Sequence, residues 1–272
     1  MNALVAHLGN IDTLCPRSKA QRFLRKCYCT PSEFEINALS LSTKPECLKG
    51  IEMDIEPKGA ILQRDKETYA IVPRVPVGLL TPENLDKLTL VIKKYTIPIV
   101  KIVSGQRIAL VGVKGEEVDE IWRELEMEPG KATGLCVHYV QACPGTTVCK
   151  LGVQDSLGLG IELEKLFFGM DLPAKVKIGV SGCPMTCGAS FVRDIGVQGK
   201  KNGWTFIFGG NSGGHPRIGD VLAEDLAAEQ VLELAKKSLE YYQANGKKRE
   251  RTARFIERTG VEAMKMALGL LG

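Results

Sequence analysis

The sequence predicts an α+β protein built in two successive units. Three observations carry that prediction: β-branched runs alternate with helical-period segments between residues 66 and 127, Pro129-Gly130 interrupts the pattern, and a second series of short strands and helices follows, punctuated by two cysteine loops. With 272 residues and 44% apolar content the chain is long enough to bury a substantial core.

Residues 1–55 show no clean period, hold Cys15, Cys27, Cys29 and Cys47, and carry the basic stretch Arg17, Lys19, Arg22, Arg25 and Lys26. They are expected to form a poorly ordered or loosely attached extension. Residues 69–72 read as a strand, and Thr81 supplies an N-cap ahead of Pro82, so a helix is expected to start at Pro82. Leu85, Leu88 and Ile92 keep helical spacing along it. Residues 99–103 and 108–111 read as strands joined through Ser104-Gly105-Gln106, and Val118, Ile121, Trp122 and Leu125 mark a second helix. The order β-α-β-β-α is most of a ferredoxin-like unit, which assigns residues 56–128 to a ferredoxin-like half-domain.

Residues 129–272 are expected to form a mixed α/β domain. It begins with a strand at 135–139, a cysteine loop, a helix around 160–168, a strand at 174–180 and a second cysteine loop. Residues 195–198 and 204–208 read as a hairpin turning at Asn202-Gly203. The glycine-rich loop at 209–214 follows. A helix over 229–245 then places Leu232, Ala235, Leu239 and Tyr242 on one face with Gly246 capping its end, and a basic helix covers 248–271.

A net charge of +4 from 36 basic and 32 acidic residues, with eight Phe and two Trp, argues against a nucleic-acid partner and leaves small anions as compatible ligands. No apolar run approaches the roughly 20 residues of a membrane helix. The opening Met-Asn-Ala-Leu-Val-Ala-His lacks the basic and apolar regions of a signal peptide, so a cytoplasmic location is expected. Nine cysteines in such a chain point to metal or redox chemistry rather than disulfides.

Four of those cysteines form two close pairs, Cys143-Pro-Gly-Thr-Thr-Val-Cys149 and Cys183-Pro-Met-Thr-Cys187, each on a loop containing proline and bordered by glycine. Soft thiolates suit an iron–sulfur cluster or zinc, and Gly145, Gly182 and Gly188 let backbone N–H groups turn toward sulfur. Zinc usually takes cysteines about two to four residues apart, so the wider first pair is unusual for it.

Set in Ala142-Cys-Pro-Gly-Thr146 and Ser181-Gly-Cys-Pro184, these pairs resemble the siroheme- and [4Fe–4S]-containing sulfite/nitrite reductase family. The resemblance extends over about residues 66–260 through Arg74-Val-Pro-Val-Gly78, Thr81-Pro-Glu-Asn-Leu85, Ile207-Phe-Gly-Gly-Asn211 and Arg251-Thr-Ala-Arg-Phe-Ile-Glu-Arg258. It implies a [4Fe–4S] cluster on Cys143, Cys149, Cys183 and Cys187, with Cys187 bridging to a siroheme, all within residues 129–272. The implied activity is reduction of sulfite to sulfide or of nitrite to ammonia, by six electrons from a ferredoxin-like or other external donor. A non-catalytic iron–sulfur electron carrier or redox sensor is the alternative.

The anion calls for cationic donors, for which Arg74, Lys175 and Lys177 are the candidates; Lys175 and Lys177 alternate along a predicted strand and share a face. Arg107, Arg193, Asn211 and Arg217 are candidates for the siroheme carboxylates. His138 is assigned no catalytic role. The chain departs from the family at Ser104-Gly105-Gln106, where relatives usually read Thr-Arg-Gln, although Arg107 lies two positions on, and at Met185 and Thr186, where many relatives place asparagine after the proline. Larger relatives hold two copies of this unit about a pseudo-twofold axis, so the single copy predicts a homodimer. Cys15, Cys27, Cys29 and Cys47 are irregularly spaced and are expected to be free thiols rather than a second metal site.

Overall fold

The computed structural model describes residues 59–271. The expected N-terminal extension over residues 1–55, with its four cysteines, lies outside the described residues.

The first described elements are β1 (Ala60–Leu62), β2 (Thr68–Ile71), α1 (Pro82–Lys94), β3 (Ile99–Val103), β4 (Arg107–Lys114) and α2 (Val118–Leu125). The strands form an antiparallel sheet in the order β1-β2-β4-β3. Helix α1 begins where its capping chemistry places it: the Thr81 hydroxyl accepts the Asn84 N–H at 3.2 Å, and Pro82 occupies the first turn. Leu88 and Val91 of α1 and Val118, Ile121 and Leu125 of α2 are buried against Ile71, Leu110 and Val113 of the sheet. Strand β1 has only three residues, too few to show a period, and the sequence pattern did not reveal it.

The second set comprises β5 (Val137–Ala142), α3 (Ser156–Phe167), β6 (Val176–Ser181), β7 (Ile195–Lys200), β8 (Gly203–Phe208), β9 (Asp220–Leu226), α4 (Ala228–Asn245), α5 (Thr252–Thr259) and α6 (Val261–Ala267). Its five-stranded sheet runs β5-β6-β7-β8-β9, parallel across the first three strands and antiparallel across the last three. The strand expected at 135–139 is displaced toward the cysteine loop and ends at Ala142, directly before Cys143. Helix α3 starts earlier than expected because the Asp155 carboxylate caps it, accepting the Gly158 N–H at 3.0 Å. Lys200 pairs with Gly203, so the hairpin turns at Lys201-Asn202, one residue before the expected site. The single basic helix expected at 248–271 is instead two, broken at Gly260, whose φ of +85° interrupts the helical path.

Helix α3 lies close on one face of β5 and β6. A Cβ at Gly160 would sit 2.9 Å from that of Ala142 and 3.0 Å from Cγ1 of Val77, so glycine sets the approach. Val140, Ala142, Ile178 and Val180 are buried there with Leu159, Leu163 and Phe167, each large side chain contributing about 1.5–3 kcal/mol. Phe208, Tyr242 and Phe255 meet edge-to-face elsewhere in the same core.

Candidate functional site

The two cysteine loops leave the carboxyl ends of the adjacent parallel strands β5 and β6, the position at which open α/β sheets hold ligands. They are joined backbone to backbone. The Val153 and Gln154 N–H groups both donate to the Gly182 carbonyl, at 2.9 and 3.0 Å, and the Cys143 N–H donates to the Val180 carbonyl at 3.1 Å. A Cβ at Gly182 would lie 2.8 Å from the Gly145 Cα, and one at Gly145 only 2.4 Å from Ser156 Oγ, so this contact admits no side chain at either position.

Cys143 and Cys183 are buried and Cys149 and Cys187 exposed, and all four are free thiols. The Gly182 N–H donates to Cys143 Sγ at 3.1 Å, which stabilises negative charge on sulfur as metal ligation requires. Among the described residues no three His, Cys, Asp or Glu side chains close around the point a single ion would occupy. Tetrahedral zinc holds its thiolates about 3.8 Å apart, given a Zn–S bond of about 2.3 Å. A four-iron cluster instead takes each thiolate at a separate iron. Cys136 is buried away from both loops, and burial pushes its thiol up from the ordinary value.

Gln106, in the turn between β3 and β4, holds the residue before the first of these cysteines at two points. Its Nε2 donates to the Ala142 carbonyl at 3.0 Å, and its Oε1 accepts the Ala142 N–H at 3.2 Å.

The face of β5 and β6 turned away from α3 is polar and cationic. Tyr139 stands in register with Lys177, and Gln141 with Gly179. Lys177 Nζ lies 5.6 Å and Arg107 Cζ 4.9 Å from the Tyr139 ring centroid. Arg193 crosses the strand at Gly179, donating to Gln141 Oε1 at 3.0 Å and to Ser212 Oγ at 2.9 Å. Arg107 donates to the carbonyls of Ser104 and Lys131. The hydrogen-bond partners of both arginines are therefore neutral.

Their charges are felt by their neighbours. Burial, and then repulsion by Arg251, Lys175 and Arg193, holds Lys177 below the usual lysine range. His138 is likewise depressed, first by burial and then by Arg107, Lys175 and Lys177. The fully buried Asp194 carboxylate organises the rear of this group, taking both Arg251 Nε and Nη2, the Thr252 hydroxyl at 2.6 Å and the Lys177 backbone N–H at 2.9 Å.

Two donors on this cationic face, the Tyr139 hydroxyl and Arg193 Nε, are buried without a partner. Buried polar groups are nearly always paired, so the face fits a group bearing anionic oxygens.

The structure thus brings Arg107, Lys177 and Arg193 together; β6 starts at Val176, not at 174 as expected, and Lys175 lies exposed just before it, acting on Lys177 and His138 through its charge. The structure engages the other candidates elsewhere. The Arg74 guanidinium is shared by Glu128 at 2.5 Å and Glu164 at 3.2 Å and stacks on Phe168. Burial lowers its pKa, but the two carboxylates outweigh burial and raise it. Asn211 bonds within its own loop, to the His215 carbonyl and the Gly213 N–H. Arg217 bonds to Asp220 and to the Gly209 carbonyl. Tyr139 and Gln141 were not singled out from the sequence, Gln141 lying beyond the strand expected at 135–139; Gln106 and Asp194 act through contacts distant in sequence.

A family model for the nitrite and sulphite reductase 4Fe-4S domain matches residues 133–270, and one for the nitrite/sulfite reductase ferredoxin-like half domain matches residues 61–128. The chain is 59% identical over 216 residues to the assimilatory-type sulfite reductase of Nitratidesulfovibrio vulgaris, covering 79% of this chain and 99% of that protein. It is 43% identical over 209 residues to the nitrite reductase [NAD(P)H] of Bacillus subtilis, covering 77% of this chain but only 26% of that one. Among solved structures, dissimilatory sulfite reductase I superposes with a TM-score of 0.67 at 16% identity, over 74% of this chain and 69% of that one, which shows a shared fold. These likenesses do not favour the electron-carrier alternative. The chain belongs to the nitrite and sulphite reductase family, with an iron–sulfur domain following a ferredoxin-like half-domain.

Proposed function

We propose that this chain reduces a small oxyanion, sulfite in preference to nitrite, at a siroheme coupled to a [4Fe–4S] cluster on Cys143, Cys149, Cys183 and Cys187. The observation that carries the reading is the juxtaposition at one sheet: two cysteine loops fused at the ends of β5 and β6, and on the same strands a cationic face at which two buried donors, from Tyr139 of β5 and from Arg193 before β7, lack partners. The preference for sulfite rests on the Nitratidesulfovibrio vulgaris relative, whose length the chain matches almost throughout.

When bound, siroheme supplies the iron that receives the anion and passes electrons to it. The chain's own residues do the rest. Arg107, Lys175, Lys177 and Arg193 neutralise oxyanion and cofactor carboxylates, and Lys177, its pKa depressed, is suited to give up a proton as oxygen leaves. Cys187, exposed on the second loop, would be the cysteine shared between cluster and siroheme, the role that the family resemblance gives it. Arg74 fixes the 74–78 loop to α3 through Glu164, which also accepts the Val77 N–H. A ferredoxin-like donor delivers the electrons, and a second copy of the chain completes a homodimer.

An anaerobic absorption spectrum with iron and sulfide analysis, followed by titration with sulfite and with nitrite, tests the proposal. Siroheme bands that shift with sulfite at lower concentration than with nitrite are expected. Iron–sulfur absorption alone, indifferent to both anions, overturns it.

A further inference from the structure

Neither the cysteine motifs nor the basic residues assign a task to Tyr139, yet it stands at the centre of the cationic face. We propose that Tyr139 is an anion-binding residue, its hydroxyl donating to an anionic oxygen that Lys177 and Arg193 also hold. The inference rests on the oxyanion-reductase reading and deepens it.

Three observations support the assignment. Tyr139 is 3% exposed and its hydroxyl has no protein partner, whereas a purely structural tyrosine in such a place would be hydrogen-bonded. Its ring cannot turn aside: Gly105, at φ +78°, lies so close that a Cβ there would sit 2.7 Å from three ring atoms, while Arg107 and Lys177 flank the ring. Gln141 lies two residues on along the same face, about 7 Å away in an extended strand, and it positions Arg193, whose Nε is the other unpartnered donor. Two idle donors on one face, bracketed by cations with neutral partners, form a site for anionic oxygen. A neutral phenol donates to such an oxygen without itself needing to ionise.

The anionic oxygen can come from the oxyanion substrate or from a cofactor carboxylate, and Tyr139→Phe separates the two. The full-length chain with its cofactors is compared with the variant by optical sulfite titration, siroheme and iron content, and the Tm without sulfite. If the substrate is the partner, the Kd for sulfite rises about tenfold with cofactor content unchanged. If a cofactor carboxylate is the partner, the siroheme-to-iron ratio falls while sulfite affinity per siroheme holds. In the first case Tm stays level or rises, because without sulfite the hydroxyl removed had no partner; in the second it falls no further than the lost siroheme accounts for. Unchanged sulfite affinity and cofactor content, or a lowered Tm that accounts for both losses, overturns the proposal. Wild-type chain that binds no sulfite overturns instead the reading on which it rests.

Discussion

Strands β5 and β6 present two faces one residue apart in sequence. On one, Val140 stands beside Ile178 and Ala142 beside Val180, all buried under α3. On the other, Tyr139 stands beside Lys177 and Gln141 beside Gly179, beneath arginines whose hydrogen-bond partners are neutral. The first face is complete in itself. The second gathers like charges and leaves two donors idle, an arrangement that costs stability until a ligand satisfies it. The pair teaches that a strand's alternation can assign folding to one side and chemistry to the other, so substitutions at neighbouring positions should have opposite consequences.

The largest effect is expected where the two faces are tied together. Asp194→Ala removes the carboxylate that holds Arg251, Thr252 and the Lys177 backbone, leaving a half-buried guanidinium without its partner. A loss of about 3–5 kcal/mol is expected in denaturant unfolding. A loss under about 1 kcal/mol would mean that the junction relaxes onto water.

On the apolar face, Ile178→Ala should cost about 2–5 kcal/mol, since the side chain is fully buried and its cavity cannot fill. One position away, Lys177→Met should leave stability level or raise it, because it removes a desolvated cation repelled by Arg251, Lys175 and Arg193. It should also weaken sulfite binding about tenfold or more by titration. Equal destabilisation by the two variants would break the contrast between faces.

What the sequence disclosed divides along similar lines. Signals that complete themselves within a few residues were legible: the Thr81-Pro82 cap, the two cysteine pairs, and the alternation of Lys175 with Lys177. Strands β1 and β9 were not, the first being too short and the second carrying Asp220, Glu224 and Asp225 against any strand pattern. Nor was the partnership of Gln106 with Ala142, or of Asp194 with Arg251, since each joins residues far apart in the chain. The departure at Gly105 was visible as a residue, but its reason is spatial: the Tyr139 ring occupies the room a side chain there would need.

Gln106→Ala tests the intermediate case, a long-range contact that serves the site more than the fold. It removes both hydrogen bonds to Ala142 and leaves that backbone pair to find water, a loss of about 1–3 kcal/mol. Iron and sulfide content should fall along with it, since Cys143 is the next residue. Retention of full iron content would show that the contacts from Gly182, Val180 and Ser156 suffice to fix the Cys143 loop.

The smallest effect sharpens the comparison by asking how strongly the field of the polar face acts on the buried His138 at the start of β5. His138 donates Nε2–H to the Gly134 carbonyl at 2.9 Å, and burial followed by repulsion from Arg107, Lys175 and Lys177 depresses its pKa below the ordinary 6.5. Because the folded value lies below the unfolded one, acidification protonates the unfolded chain first. The stabilisation from neutral His138 is fully present above about pH 6.5 and is lost as pH falls through the folded value. Within that window the loss approaches about 1.4 kcal/mol per pH unit, and His138→Gln should remove this contribution to the slope of Tm against pH. Adding sulfite at each pH should flatten the wild-type slope, because an anion between Arg107 and Lys177 offsets the charges that oppose protonation. Identical slopes in wild type and His138→Gln, with and without sulfite, would show that the cationic field does not act on His138.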